Sequence, residues 1–156
     1  MELTTRGRYA VMAMADLAKH GAGGPVSLPA IAERQALPIT YLEQLFLRLR
    51  RAGLVVSERG RAGGYRLGRP ACDIRVAEIM VAVDEETRMT RCMGEGSVGC
   101  NGEQKCLTHE LWHALGGHIR EFLSGVSLQD VLDGVPARTG VSSAAPPNVE
   151  RTQRTQ

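Results

Sequence analysis

The chain has 156 residues, of which 43% are hydrophobic and 23% are charged. This composition is typical of a globular domain with a small additional element, and it excludes a fibrous or wholly disordered protein. No apolar run reaches the roughly 18 residues that a membrane span requires, and the first residues do not have the pattern of a secretory signal. We therefore expect a cytoplasmic protein with no membrane partner.

The net charge of +2 conceals an uneven distribution along the chain. Residues 1–70 carry 11 basic and 5 acidic side chains, a net charge of +6, whereas residues 71–156 carry 8 and 12, a net charge of −4. Arginine supplies nearly all of the positive charge, and its planar guanidinium suits phosphate and guanine. The preference for arginine over lysine is explained equally well by genomic base composition. The position of the positive charge is more informative, and it indicates that the two parts meet different partners.

Three predicted helices open the chain. The first spans residues 4–20, and Ser27 is expected to cap a short second helix that breaks at Pro38. In the third, Thr40 and Glu43 have the spacing of a capping box, followed by an apolar stripe that ends near residue 52.

A β-hairpin is predicted next, because residues 54–57 and 65–67 have strand composition and flank a basic, glycine-rich tip. Three helices followed by a hairpin predict a mainly α fold with a small β-hairpin wing, a winged helix-turn-helix whose third helix enters the major groove of DNA. Arg59 and Arg61 at the tip would contact the adjacent minor groove. A solvated turn is the alternative for these two residues.

The second part of the chain contains two more predicted helices, over residues 74–83 and from Thr108 onward. The long helix has a regular apolar stripe that predicts a dimer interface; its members are Leu111, Leu115, Ile119, Phe122 and Val126. We expect a DNA-binding domain at 1–83, a loop at 84–107 whose three cysteines suit it to bind a metal cluster, a dimerisation helix at 108–132 and a disordered tail at 133–156.

Three cysteines and one histidine form a C-x7-C-x5-C-x2-H pattern, composed of Cys92, Cys100, Cys106 and His109. Three thiolates and an imidazole complete a four-ligand set for zinc or a 2Fe-2S cluster. Structural zinc sites usually contain cysteine pairs two to four residues apart, and the lack of such a pair favours the cluster. Cys72 is expected to be a small buried side chain. No nucleophile–base arrangement or nucleotide loop is present, so we expect no enzyme activity.

Several segments resemble the IscR-type iron-sulfur cluster regulators of the Rrf-type winged helix-turn-helix family. The resemblance covers about residues 1–132 and depends on the segments 3–11, 41–46, 49–55, 59–65, 83–85 and 106–112. It implies a homodimeric transcription factor whose 2Fe-2S cluster, on Cys92, Cys100, Cys106 and His109, reports iron-sulfur status and controls genes such as those for cluster assembly. The first ligand gap has seven residues where the family pattern has five; a glycine-rich loop accommodates two more at small entropic cost.

The resemblance also implies which side chains contact a palindromic operator in double-stranded DNA. Thr40, Tyr41, Glu43 and Gln44 would lie near base edges, and Arg50 and Arg51 near phosphates. Capping of the third helix is an equal alternative for Glu43. The alternative functions are a zinc-stabilised regulator, a regulator that senses nitric oxide or redox state, and an iron-sulfur redox protein.

Overall fold

The computed structural model describes residues 4–60, 63–85 and 105–134. Within these ranges the chain has six α-helices and a two-stranded antiparallel sheet, which confirms the predicted fold class. The predicted disordered tail lies outside the described residues except for residues 133 and 134. The helices are α1 (Thr5–His20), α2 (Leu28–Gln35), α3 (Ile39–Arg51), α4 (Val76–Ala82), α5 (His109–Gly125) and α6 (Leu128–Leu132), and the strands are β1 (Val55–Glu58) and β2 (Gly64–Leu67).

Helix α1 forms the centre of the core. The Thr4 hydroxyl caps it by accepting a hydrogen bond from the Arg6 amide at 3.2 Å. Its inner face carries small and apolar side chains that are fully buried, and it also buries Asp16. The carboxylate of Asp16 accepts hydrogen bonds from the guanidinium of Arg34 and the side-chain amide of Gln35. These bonds join α1 to the end of α2.

Helices α2 and α3 form the predicted helix-turn-helix. The Ser27 hydroxyl caps α2, and α2 ends at Ala36, which has a left-handed backbone conformation with φ of 52°. The prediction that residues 40–43 form a capping box is wrong. Helix α3 begins at Ile39, one residue after Pro38, because the Pro38 carbonyl accepts the amides of Tyr41 and Leu42 at 3.1 Å. Thr40 thus lies inside the helix, where its hydroxyl cannot serve as the N-cap.

The hairpin packs firmly on the helices. Strands β1 and β2 pair in antiparallel register, with Val55 opposite Leu67. Tyr65 also exchanges two backbone hydrogen bonds with Val26, at 2.8 and 2.9 Å, and its ring packs edge-on against Phe46 at 4.8 Å between centroids. The base of the wing is therefore fixed to α3 and to the segment just before α2.

The long predicted helix does not continue to residue 132. The backbone becomes extended at Val126, where the Val126 carbonyl accepts the amide of Val76 at 2.9 Å and the Ile74 carbonyl accepts the amide of Leu128 at 2.8 Å. Ser127 then caps α6. Since Leu128 is fully buried in the same core as α1 and α3, α6 packs with the winged helix rather than with the exposed stripe of α5.

Candidate functional site

One face of α3 is exposed and polar, and it carries most of the residues predicted to bind DNA. Leu42, Leu45, Phe46 and Leu49 are buried on the opposite face, which fixes the rotation of the helix about its axis. The exposed predicted residues are Thr40, Glu43, Gln44, Arg50 and Arg51.

Tyr41 differs from the other predicted contacts because it is half-buried. Its ring packs edge-on against Tyr9 of α1, with 5.9 Å between centroids. Because α3 begins at Ile39, the carboxylate of Glu43 is not needed for a capping box. Glu43 is exposed instead, so the capping alternative is removed and its side chain is available for other contacts.

The tip of the wing carries Arg59, which is exposed, while Arg61 lies outside the described residues. Two glycines allow the tight return of the chain. Gly60 has φ of +126°, and a Cβ added to Gly63 would lie 2.7 Å from the carbonyl oxygen of Glu58. Arg59 therefore lies exposed directly after β1 and before a glycine whose backbone conformation few other residues adopt.

Two of the four predicted cluster ligands, Cys106 and His109, lie at the start of α5; Cys92 and Cys100 lie outside the described residues. His109 is the first residue of the helix, its amide donates to the Cys106 carbonyl at 3.0 Å, and both side chains are half-buried. No group of three or more potential metal ligands occurs among the residues that the structure describes. A thiol and an imidazole within one turn fit half of a three-cysteine, one-histidine set.

Neighbouring side chains surround this pair. The Trp112 indole N–H donates to Thr108 Oγ1 at 3.2 Å, and the same oxygen lies 3.5 Å from Cys106 Sγ. The imidazole rings of His109 and His113 stack with 6.3 Å between centroids. The remaining described cysteine, Cys72, is exposed, so the prediction that it is buried is wrong; it lies in a short 3-10 turn at the surface rather than in the core.

The apolar stripe of α5 is partly exposed in the single chain. Leu111, Leu115 and Phe122 are 60%, 37% and 43% exposed. Exposed apolar side chains in one row are typical of a surface that contacts another molecule. Val126 was predicted to continue the stripe, but it is 5% exposed and packs with Val76 and Met80. The chain leaves the helix at this residue, which explains the difference.

The sequence patterns did not predict the contacts of Asp84 and Glu85. Glu85 is buried and accepts hydrogen bonds from the amides of Thr4 and Gly7, at 3.0 and 3.1 Å, and from the Thr4 hydroxyl. Burial opposes its ionisation, but these bonds outweigh burial and lower the pKa of Glu85. Asp84 forms an ion pair with Arg48 of α3. The only signal in the sequence was the motif at 83–85, which carries no spatial information.

Helices α1 to α3 and the hairpin define a winged helix-turn-helix protein. The model of the Rrf2 family, described as iron-dependent transcriptional regulators, matches residues 3–134. The chain belongs to this family and is a transcriptional regulator with a DNA-binding fold. Among the described residues, no helix is both long and apolar enough to cross a bilayer.

Individual relatives agree with the family. The chain is 53% identical over 133 residues to the HTH-type transcriptional regulator IscR of Photorhabdus laumondii, covering 85% of this chain and 80% of that protein. It is 51% identical over 139 residues to IscR of Escherichia coli O139:H28, covering 85% of each. Among solved structures, T. potens IscR has 40% identity and a TM-score of 0.68 over 85% of this chain and 87% of that one. CymR, the global cysteine regulator of B. subtilis, has 32% identity and a TM-score of 0.72 over 85% and 97%.

Proposed function

We propose that this regulator senses iron-sulfur status through a 2Fe-2S cluster held by Cys92, Cys100, Cys106 and His109. The observation that carries the proposal is the placement of Cys106, three residues before α5, next to His109, the first residue of that helix. The positive end of a helix dipole favours the net negative charge of a thiolate-bound centre. When bound, the cluster supplies a state that changes with iron, sulfide and oxidant supply.

The contacts of residues 83–85 support communication between the cluster and the DNA surface. These residues precede the segment that contains Cys92 and Cys100, and they contact both α1 and α3. A change at the cluster would therefore bias two helices of the winged helix-turn-helix, as a population shift requires. In this proposal residues 1–83 bind DNA, residues 84–107 provide three cluster ligands, and α5 forms the dimer interface.

Absorption and metal analysis of anaerobically purified protein test the cluster. We expect a coloured protein with about one 2Fe-2S cluster per chain. Cys106→Ser should lose the visible bands, whereas the matched variant Cys72→Ser, at an exposed cysteine outside the ligand set, should retain them. Colourless protein with stoichiometric zinc would favour the zinc-stabilised regulator. If the cluster reacts with nitric oxide or oxidant, and DNA affinity does not change with cluster supply, the result would favour a nitric oxide or redox sensor.

The proposed DNA surface consists of the exposed face of α3 and the wing. Thr40, Tyr41, Glu43 and Gln44 would read bases, and Arg50, Arg51, Arg59 and Arg61 would contact phosphates or the minor groove. A carboxylate repels phosphate, so Glu43 would discriminate against operators that do not offer a donor such as the cytosine amino group. Glu43→Ala should then bind a wider range of sites selected from random duplexes, whereas an unchanged preference would exclude Glu43 from base reading.

Salt dependence tests the phosphate contacts. Arg59→Ala should weaken binding and reduce the slope of log affinity against log salt by about one unit. Arg120→Ala provides the matched control, because Arg120 is also exposed but lies on α5. If both variants give the wild-type slope, the wing does not contact the DNA backbone.

The exposed stripe of α5 supports a homodimer, whose two-fold symmetry predicts a palindromic operator with half-sites about one helical turn apart. Sedimentation of the full chain gives the mass in solution. A monomer at micromolar concentration that binds a single half-site as tightly as the full operator would contradict this part of the proposal. An intact cluster with redox turnover and no DNA binding would indicate an iron-sulfur redox protein instead.

A further inference from the structure

Arg48 occupies a central position on the proposed DNA surface. It lies four residues after Gln44 and three before Arg51, so the three side chains share one strip of α3. They also line one open cleft of about 670 Å³ between α3 and α4. Arg48 is half-buried, but it lies where a DNA backbone bound by its two exposed neighbours would also reach it.

Its charge is nevertheless engaged within the chain. Arg48 Nη1 pairs with Asp84 Oδ2, and the two side chains are 40% and 69% exposed. Such exposed pairs contribute little to stability, because water screens them and ordering the side chains costs entropy. The pair therefore adds little to the stability of the fold, and its main effect is to occupy a guanidinium that could otherwise bind DNA phosphate.

The backbone that carries the Asp84 carboxylate is fixed by contacts with α1. The Arg6 guanidinium donates to the Asp84 carbonyl at 3.2 Å, and Glu85 is fastened to the start of α1. Asp84 itself has φ of 53°, a left-handed conformation that few side chains adopt. The acidic group is thus held beside α3 by α1 rather than by chance proximity of two flexible side chains.

We propose that Asp84 is a positioning residue that holds Arg48 away from the DNA backbone and sets the affinity of α3 for its operator. This inference rests on the proposed use of α3 in DNA binding. Replacing Asp84 with Asn keeps the shape and tolerates positive φ, but it removes the charge that retains the guanidinium. Arg48 is then free to neutralise one additional phosphate.

The experiment measures binding of the full chain to a fluorescent duplex selected by the wild-type protein from random sequence, at several salt concentrations. Asp84→Asn should bind about two- to fivefold more tightly, as expected from release of an exposed ion pair, and its salt slope should steepen by about 0.9. Arg48→Ala should have little effect in the wild type but should abolish the gain of Asp84→Asn. Asp84→Gly, which also tolerates positive φ, should reproduce that gain if the Asn variant is unstable.

Three results would overturn the inference. Unchanged affinity and slope in both Asp84 variants would show that the carboxylate does not restrain Arg48. A weakened wild-type complex on Arg48→Ala would show that Arg48 already contacts phosphate. A gain that persists in the double variant would show that Asp84 acts only through its general charge. Arg51→Ala separates this inference from the proposed function. If Arg51→Ala and both Asp84 variants leave binding unchanged, the proposed use of α3 fails together with this inference. If Arg51→Ala weakens binding while both Asp84 variants bind as the wild type does, the role of Asp84 alone is excluded.

Discussion

Replacing Glu85 with Gln should destabilise the protein, because this carboxylate caps α1 from outside the helix. Glu85 is 7% exposed and accepts the amide of Gly7, which belongs to the first turn of α1, where amides have no partner within the helix. It also accepts the amide and hydroxyl of Thr4. Gln has the same length, but its side-chain nitrogen is a donor and would face the donors that the carboxylate now satisfies.

The magnitude follows from the type of bond that is lost. Hydrogen bonds to a charged group contribute about 1.5–3 kcal/mol net, and a negative charge at a helix N-terminus adds about 0.3–1 kcal/mol. Since Gln retains one acceptor, we expect a loss of about 2–3 kcal/mol in the free energy of unfolding at pH 7. With a urea m-value of about 1–3 kcal/mol/M, the midpoint should fall by about 1 M. The protein concentration must be fixed, because dimerisation would contribute to apparent stability.

The pH dependence provides a second measurement of the same contact. Because the pKa of Glu85 in the folded state lies below its usual value of 4.5, its contribution is complete above about pH 4.5 and is lost as the pH falls through the folded-state pKa. The difference between wild type and Glu85→Gln should therefore shrink below pH 4.5. Glu58→Gln, at an exposed carboxylate paired with Arg66, should cost at most about 1 kcal/mol. Equal midpoints for wild type and Glu85→Gln at pH 7 would refute the proposed cap.

Three further changes test the packing and the interface. Gly7→Ala would place a Cβ 2.7 Å from the side chain of Glu85 and should cost about 1–3 kcal/mol in urea unfolding; Gly21→Ala, where the space is open, should remain within about 0.5 kcal/mol of wild type, and similar losses in both would contradict the close packing. Asp16→Asn removes a buried charge that is bonded to two side chains of α2 and should cost about 1.5–3 kcal/mol, so a thermal midpoint equal to wild type would exclude a role in joining the helices. Leu115→Glu introduces a charge into the exposed stripe of α5 and should yield monomers in sedimentation with an unchanged circular dichroism spectrum, unless that stripe is not the dimer interface.

The helices and hairpin could be predicted because their signals are local. Ser27 and Thr4 cap helices through bonds to amides two or three residues away, and the apolar spacing of α3 identified its buried face. The start of α3 was misplaced because two N-terminal signals overlap. Thr40 fits the pattern of a capping box, but Pro38 lies two residues earlier and has a fixed φ. The Pro38 carbonyl accepts the first amides of the helix, so α3 begins before Thr40.

The contacts of the candidate site could not be predicted in the same way, because they join residues far apart in sequence. Glu85 bonds to residues 78 and 81 positions away, and Arg48 pairs with a residue 36 positions away. A sequence pattern identifies such residues only by their chemical type, because an acidic residue next to a loop follows neither helical nor strand periodicity. Val126 illustrates the same limit, since its spacing fits the stripe of α5 while its contacts with α4 place it in the core.

The arginines of residues 1–70 fall into two groups, those paired with acidic side chains of the same chain and those without such a pair among the described residues. Some arginines of residues 1–70 are neutralised within the fold by acids of the second part, as Arg48 is by Asp84 and Arg69 by Glu78. The net charge of +6 therefore does not measure the charge available to DNA. Arg50, Arg51 and Arg59 form no ion pair with other described residues, and all three are exposed on α3 or the wing. Internal pairing thus reduces the positive charge that residues 1–70 offer to a partner, while the proposed DNA surface keeps the charge of these three arginines.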